Sequence, residues 1–302
     1  MVAARRKPRR PMDEGQSPSI FLGLITYPGT RYPDASGSSG LMSQLAQAME
    51  HRGWSVRTQI IDENLVDPAT IDRSTGALRE SIRAEYSVEA DWRSYLESQP
   101  HGAQLPIDLR IRQIIGLLRM RAWGNPSATA SKNGQRRLVR LANIEAAHLA
   151  ILTSALNSQC QWALVLEDDA VAGDVPSLAD ALVSHLTAWD SADQPEYVNM
   201  SESFSLNKLG IGHLMTHHGT WDGVSEVLSA RRPVTNTVCA ILYRSTFVSD
   251  LHRTLQDIPM EPIIPIDWKL NAALMRLVRE GRISSGACFT LEPAPIRQSS
   301  MH

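Results

Sequence analysis

The sequence predicts an α/β protein with a mainly parallel central sheet and helices on its faces. Residues 20–27, IFLGLITY, form a short apolar run of β-forming residues, which is typical of a buried parallel strand. A helical pattern follows, and its apolar stripe consists of Leu41, Met42, Leu45 and Met49. Residues 54–62, WSVRTQIID, then predict a second strand. A strand, a helix and a strand in this order form a βαβ unit, which belongs to a sheet covered by helices.

The same alternation resumes after residue 135 and continues to the end of the chain. It predicts helices over 136–158 and 177–189, and two further helices that Ser245 and Asp267 cap. Apolar β-forming runs between them predict strands at 161–169, 195–201 and 237–244, and residues 287–302 are predicted to form a strand followed by an extended tail.

Two segments depart from this alternation. Residues 63–135 are predicted to be a helical insertion that ends in a Gly-, Ser- and Asn-rich loop at 125–135, placed to act as a lid. Residues 1–18 carry no apolar periodicity and are predicted to be a flexible basic leader. The remainder, residues 19–302, is predicted to form a single domain with that insertion.

Composition argues against several classes of protein. Apolar residues make up 43% of the chain and charged residues 21%, which is ordinary for a globular protein. The formal net charge of −2 argues against a nucleic-acid partner, although the leader concentrates five basic side chains in residues 1–10. That leader would allow weak contact with an anionic membrane surface; a disordered, solvated leader is the alternative.

Compartment is inferred from cysteines and apolar runs. Cys160, Cys239 and Cys288 are far apart and each lies in an apolar run, so they are expected to be core residues of a protein in a reducing compartment. No apolar run approaches the roughly 20 residues that a membrane span needs, and no signal peptide is recognised. A cytoplasmic protein, peripheral to a membrane at most, is the expectation.

The strongest chemical signal is a buried strand that runs directly into Glu167, Asp168 and Asp169. Neighbouring carboxylates repel one another unless a cation neutralises them, and Mg²⁺ or Mn²⁺ prefers such oxygen ligands. Glu167 and Asp169 are alternate residues, expected on one face, where they would hold a metal bound to a diphosphate, with Asp168 pointing the other way. The alternative is a solvated acidic turn that caps the next helix.

A second signal is a pair of ionisable residues on an apolar helix face. Glu145 and His148 are spaced i, i+3 and interrupt the stripe formed by Leu138, Leu141 and Leu152. One interpretation is a buried Glu–His pair that belongs to the core. The other is a pair that orients a substrate or the acidic strand end.

These motifs occur in an order that resembles glycosyltransferase family 25. Residues 142–170, ANIEAAHLAILTSALNSQCQWALVLEDDA, are similar to that family's Glu-His segment followed by a helix and a strand ending in Leu-Glu-Asp-Asp. Three later segments resemble further family motifs: TNTVCAIL at 235–242, PIDW at 265–268 and PAPIRQ at 293–298. Residues 63–135 have no clear counterpart in the family pattern.

The resemblance implies a GT-A fold, an αβα sandwich, and an activity. The protein is expected to transfer a sugar from a nucleotide-sugar donor to a hydroxyl of a glycan, lipid or small-molecule acceptor, with Mn²⁺ or Mg²⁺ as cofactor. Leu-Glu-Asp-Asp would serve as the Asp-x-Asp-like motif, with Glu167 and Asp169 on the metal and Asp168 near the donor.

The resemblance also implies roles near the nucleotide and the acceptor. Thr26, Tyr27 and Arg31 would contact the nucleotide and Asp62 its base or ribose, although ordinary turn chemistry explains each of them equally well. An inverting transfer needs a base for the acceptor hydroxyl, and Asp267 is the candidate; a plain helix cap is the alternative.

Other functions remain open at this point. A non-catalytic nucleotide- or sugar-binding module that kept the fold is the main alternative. A metal-dependent phosphohydrolase would require further Asp and His clusters, which the sequence does not show. His217, His218 and the C-terminal His302 are additional, weaker candidates for metal ligands.

Overall fold

The computed structural model of the chain describes residues 17–28, 30–98, 128–190, 195–201, 215–230 and 238–299. Ten strands lie within these ranges: β1 (Ser19–Ile25), β2 (Ser55–Ile61), β3 (Trp162–Glu167), β4 (Ala170–Ala172), β5 (Tyr197–Asn199), β6 (Met215–Thr220), β7 (Glu226–Ala230), β8 (Ala240–Arg244), β9 (Cys288–Glu292) and β10 (Ile296–Gln298). The α-helices of the same ranges are α1 (Leu41–His51), α2 (Thr75–Ser98), α3 (Ala128–Ser158), α4 (Val175–Asp190), α5 (Ser245–Asp257) and α6 (Ile266–Arg279).

The predicted α/β class is confirmed, and the central sheet is mixed. Its eight strands in the described residues follow the order β2-β1-β3-β8-β5-β9-β7-β6. The predicted βαβ unit is present, since β1 pairs in parallel with both β2 and β3. Strands β7 and β8 run antiparallel to their neighbours, so the expectation of parallel pairing holds for only part of the sheet. A separate two-stranded sheet pairs β4 with β10.

Helices cover both faces of the sheet because each buried strand is apolar on both sides. In β1, Leu22 and Leu24 pack with α1 and α4, whereas Phe21 and Ile25 pack with α3, α5 and α6. The predicted stripe of α1 is confirmed at Met42, Leu45 and Met49, which are buried. The result is a three-layered α/β sandwich with one apolar core on each side of the sheet.

A glycine allows α3 to lie close to the sheet. A Cβ atom at Gly23 of β1 would lie only 2.5 Å from Cγ1 of Ile151 on α3, which is closer than non-bonded carbon atoms approach. Gly23 pairs with Val165 of β3, so the contact brings α3 directly over the two strands that lead to the acidic turn. The close packing therefore positions the ionisable residues of α3 near the end of β3.

The structure revises the boundaries of the insertion. Residues 62–74 are irregular and α2 follows, as predicted, while residues 99–127 lie outside the described residues, together with part of the predicted loop. For residues 128–135 the prediction of a loop is wrong, because α3 begins at Ala128 and includes them. Leu78 of α2 packs with Leu138 and Ala142 of α3 in a small third apolar cluster.

The segment between β5 and β8 also differs from expectation. Residues 215–230 lack apolar periodicity, yet they form the antiparallel pair β6 and β7 at one edge of the sheet. Exposed polar side chains fill β6, which is why a pattern of buried residues could not reveal it.

The three cysteines lie in the core, as the sequence predicts. Cys160, Cys239 and Cys288 are buried and form no disulfide. Within the described residues, none of the helices is sufficiently long and apolar to cross a bilayer. The leader, residues 1–18, falls outside the described ranges except for residues 17 and 18.

Candidate functional site

A cavity of about 330 Å³ lies beside the carboxyl end of β3. Its lining residues include Glu167, Asp168 and Arg31. Residues 39–42, which lead into the start of α1, also line it. In an open α/β sheet, ligands bind beyond the carboxyl ends of the strands, so this cavity occupies the expected position.

Asp168 is held by the segment that follows β1. Its Oδ2 accepts hydrogen bonds from the hydroxyl groups of Thr30 and of Thr26, the latter at 3.4 Å. The pKa of Asp168 is raised, chiefly by burial and further by the negative charges of Asp169 and Glu167, although the bond from Thr30 opposes the shift. The three carboxylates therefore form a site of unfavourable negative charge, which a bound cation would relieve.

Thr26 was a predicted site residue, and the structure places it in contact with this carboxylate. Thr30 was missed by sequence reasoning. It lies in a turn-rich segment where a hydroxyl has several ordinary uses, so only the fold reveals its partner.

Glu167 is bound from the opposite side by His148. The His148 Nε2 and the Glu167 Oε1 are 3.2 Å apart, and the imidazole is 1% exposed. An ionised carboxylate only accepts hydrogen bonds, so the imidazole Nε2–H is the donor. This contact joins α3 to the acidic end of β3, as the second interpretation of the helix pattern expects.

Glu145 has a different partner from the one the spacing suggests. Its carboxylate forms a buried ion pair with Lys269 of α6, whose ammonium also donates to the Pro259 carbonyl at 2.9 Å. Burial raises the pKa of Glu145, while Lys269 and, more weakly, His148 oppose the shift. The i, i+3 neighbours Glu145 and His148 are thus both buried, but each is bound to another element.

Asp267 lies in the first turn of α6, half-buried. Its pKa is raised to about 7, chiefly by burial, with further contributions from the negative charges of Glu167 and Glu85, while the backbone N–H of Trp268 opposes the shift. The negative charge of Glu167 is one of the smaller contributions to this shift, and Asp267 is not among the lining residues of the cavity. A carboxyl group that titrates near neutral pH is suited to accept a proton.

The predicted capping role of Asp267 is wrong. The N-cap of α6 is Pro265, whose side chain has no atom that can accept a hydrogen bond. Asp267 follows within the first turn. Its carboxylate still accepts from backbone N–H groups there.

The turn after β3 separates the three consecutive carboxylates. The prediction that Glu167 and Asp169 lie on one strand face is wrong, because β3 ends at Glu167 and residues 168–169 form a turn. The Asp169 side chain is buried, and its Oδ2 accepts from Nε2 of Gln298 in β10 at 3.0 Å. Glu167 and Asp168 line the cavity, whereas Asp169 is not among its lining residues.

The N-terminus of α1 is shaped by a glycine. Gly40 is the N-cap of α1, and no side chain caps the helix there. A Cβ at Gly40 would lie 2.0 Å from the carbonyl oxygen of Ala35, so no other residue fits. The backbone N–H groups of an uncapped helix start favour an anion, and exposed Arg31 adds a positive charge to the same cavity.

Tyr27 and Asp62 lie just after the ends of β1 and β2, respectively. The Arg140 guanidinium of α3 stands 5.4 Å from the centre of the Tyr27 ring, and burial raises the pKa of that phenol. Asp62 follows β2 and is exposed; it is not among the lining residues of the cavity.

Two of the three additional histidines, His217 and His218, lie far from the site. His217 and His218 lie on β6, five strands from β3, which corresponds to about 24 Å at about 4.8 Å per strand. There His217 lies 3.8 Å from Glu226, and His218 contacts the Ser229 hydroxyl at 2.7 Å. His302 is outside the described residues.

A metal site made of protein ligands alone is not evident. In the part of the chain that the structure describes, no group of three or more His, Cys, Asp or Glu side chains converges as such a site requires. Mg²⁺, however, commonly takes only one or two carboxylates and completes its shell with waters and substrate phosphates. The pair of carboxylates at the cavity fits that pattern.

Comparison with known proteins adds no family assignment: no protein-family profile matches the chain, and no curated protein is significantly similar to it.

Proposed function

We propose that the protein is a metal-dependent glycosyltransferase that moves a sugar from a nucleotide-sugar donor to a hydroxyl acceptor. The observation that carries the proposal is the cavity at the end of β3, which is lined by Glu167 and Asp168 together with Arg31 and the start of α1. Opposite charges in one cavity suit a diphosphate that is bound together with a divalent cation. The resemblance of residues 142–170 to glycosyltransferase family 25, and hence a GT-A fold, supports the same activity.

Glu167 and Asp168 would hold the cation. The pKa of Asp168 is raised chiefly by burial and further by the charges of Asp169 and Glu167, and a bound cation would stabilise the ionised carboxylates against both effects. Their oxygen atoms are the ligands that Mg²⁺ and Mn²⁺ prefer. Such an ion, when bound, would neutralise the charge on the leaving nucleoside diphosphate. Asp169 would support this turn from behind through its bond to Gln298.

The protein's own groups would do the remaining work. Arg31 and the N–H groups at the start of α1 bind the diphosphate, and Thr26 and Thr30 orient Asp168. His148 orients Glu167 through the 3.2 Å contact. Asp267, with a pKa of about 7, takes the proton from the acceptor hydroxyl in an inverting transfer. Tyr27 would border the nucleotide, and Asp62 would reach only an outlying part of it.

A thermal-shift screen tests this proposal first. UDP-, GDP- and CDP-linked sugars are added with Mn²⁺ and with EDTA, and each stabilising donor is then assayed for release of its nucleotide. We expect at least one donor to raise the melting temperature only with the metal. Stabilisation without turnover over a panel of glycan, lipid and small-molecule acceptors would favour the non-catalytic binding module instead.

A further inference from the structure

Lys269 is a fully buried cation that the sequence pattern did not single out. Its side chain is among the largest in the core, and the residue is 1% exposed. Lysine is almost never buried to this extent unless it is paired. Its ammonium donates to the carboxylate of Glu145 on α3 and to the carbonyl of Pro259.

The two acceptors belong to different elements that both lead to the candidate site. Glu145 lies one helical turn before His148, which binds Glu167. Pro259 belongs to the segment that approaches α6, and the Ile263 carbonyl of the same segment accepts a hydrogen bond from the Ser81 hydroxyl of α2. Lys269 itself lies two residues after Asp267, so its ammonium joins three parts of the structure around this turn.

Lys269 and Glu145 neutralise each other's charge in the core. The Glu145 Oε2 is buried and has no hydrogen-bond partner among the described residues. Loss of Lys269 would leave this carboxylate buried without a counter-charge, so the carboxylate would take up a proton or draw in water.

We propose that Lys269 is a positioning residue that ties the first turn of α6 to α3 and so fixes Asp267 relative to the Glu167–His148 pair. The inference rests on the proposed function only for the role of Asp267 as a base. The position of Asp267 itself is measurable without any substrate.

The alternative is that the side chains of Lys269 and Glu145 only fill space in the core. Buried ion pairs can often be replaced by apolar residues of similar size without loss of stability. Apolar side chains would fill the space, but they lack the directional N–H bonds to Glu145 and Pro259 that set the placement of α6. A charge-free double variant therefore separates filling from positioning.

The test compares Lys269→Met/Glu145→Leu with the wild-type protein and with Arg276→Met. Arg276 is a matched control, because it pairs with Glu280 on the exposed surface of the same helix. The double variant removes one positive and one negative charge together, so a change at Asp267 reports its surroundings rather than the net charge. Melting temperature, the carboxyl titration of Asp267 by ¹³C NMR and, with the donor found in the sugar-nucleotide screen, kcat and KM are measured.

We expect the double variant to melt near the wild-type temperature while the titration midpoint of Asp267 moves by about one pH unit or more. The groups that face Asp267, Glu167 of β3 and Glu85 of α2, remain in place in the sequence, so the shift would come from altered burial and distance. We also expect kcat to fall by about 10- to 100-fold at an unchanged donor KM, because an error of about 1 Å in the placement of reacting groups can cost about 10². Arg276→Met should change neither.

A stable double variant with a wild-type Asp267 midpoint would overturn the proposal. Should the double variant not fold, Lys269→Gln/Glu145→Gln decides, because it removes the same two charges while the shorter amide at position 269 cannot reach both Glu145 and Pro259: a shift of the Asp267 midpoint by about one pH unit or more would support positioning, and a wild-type midpoint would overturn it. Absence of transfer from every nucleotide sugar by the wild-type protein would reject the glycosyltransferase proposal, while the titration would still decide the position of Asp267.

Discussion

The imidazole of His148 on α3 lies 3.2 Å from the carboxylate of Glu167 at the end of β3. The contact joins a helix of one outer layer to the edge of the sheet at which the cavity opens. Because the imidazole is almost completely buried, it leaves Glu167 little freedom to rotate away from the cavity. The acidic turn is thus oriented from behind by α3, and from the loop after β1 by Thr26 and Thr30.

Substitution of His148 should affect turnover more than stability. In His148→Gln, a side-chain amide still fills part of the space, so we expect a modest loss in melting temperature but a fall in sugar transfer of about tenfold or more. His252→Gln is the control, because His252 also contacts α3, at the Thr153 hydroxyl, and lies away from the cavity. A large loss of stability with unchanged turnover per folded molecule would return His148 to a purely structural role.

Replacement of Asp267 by Asn should separate catalysis from binding. The amide keeps the size of the carboxyl group but takes up no proton, so sugar transfer should fall by about 10²–10⁴-fold while donor affinity remains. Calorimetric donor binding and initial rates measure the two effects. Transfer near the wild-type rate would mean that the base lies elsewhere, or that the reaction retains configuration and needs no such base.

The same variant predicts a pH dependence of stability. The pKa of Asp267 is raised from its ordinary value to about 7 in the folded protein, so its contribution is favourable at low pH and is lost as pH rises through about 7. Asp267→Asn does not titrate and should therefore gain melting temperature relative to the wild-type protein between about pH 4 and pH 8. A difference between the two proteins that stays constant over this range would argue against the raised pKa.

Arg31 should contribute to nucleotide affinity through its charge. We expect Arg31→Met to weaken the binding of a nucleoside diphosphate, with a larger effect at low salt, because an exposed charge is screened by ions. Arg57→Met on β2 is the control, since Arg57 is also exposed but does not line the cavity. Equal affinity of both variants would remove Arg31 from the site.

The sequence predicted the elements of the sandwich that have a buried face. Apolar runs located β1, β3 and β8, and the stripe of α1 was correct, because burial imposes a visible periodicity on such elements. It failed at β6, whose residues are exposed, and at the start of α3, where Gly, Ser and Asn predicted a loop. The antiparallel direction of β8 was also missed, since a buried strand reads alike in either direction.

Site residues divide in a similar way. Glu167, Asp168 and His148 could be proposed from the sequence because charged residues stand out beside apolar ones, and the structure places Glu167 beside both of the others. Thr30 and Lys269 were not, because a turn threonine and a helical lysine are ordinary in sequence, and only the fold reveals their partners. The pairing of Glu145 with Lys269 instead of His148 is a contact between residues 124 positions apart, which local spacing could not predict.

Calorimetric titration of UDP, GDP and CDP tests the central claim most directly, in the presence of Mn²⁺, in the presence of EDTA, and with Asp168→Ala. Asp169→Ala is included because Asp169 is bound to Gln298 and does not line the cavity. We predict that one diphosphate binds with Mn²⁺ and loses about 10- to 100-fold or more in affinity both in EDTA and in Asp168→Ala, with a smaller loss in Asp169→Ala. Equal affinity with Mn²⁺, with EDTA and in Asp168→Ala would contradict a metal-dependent nucleotide site at the end of β3.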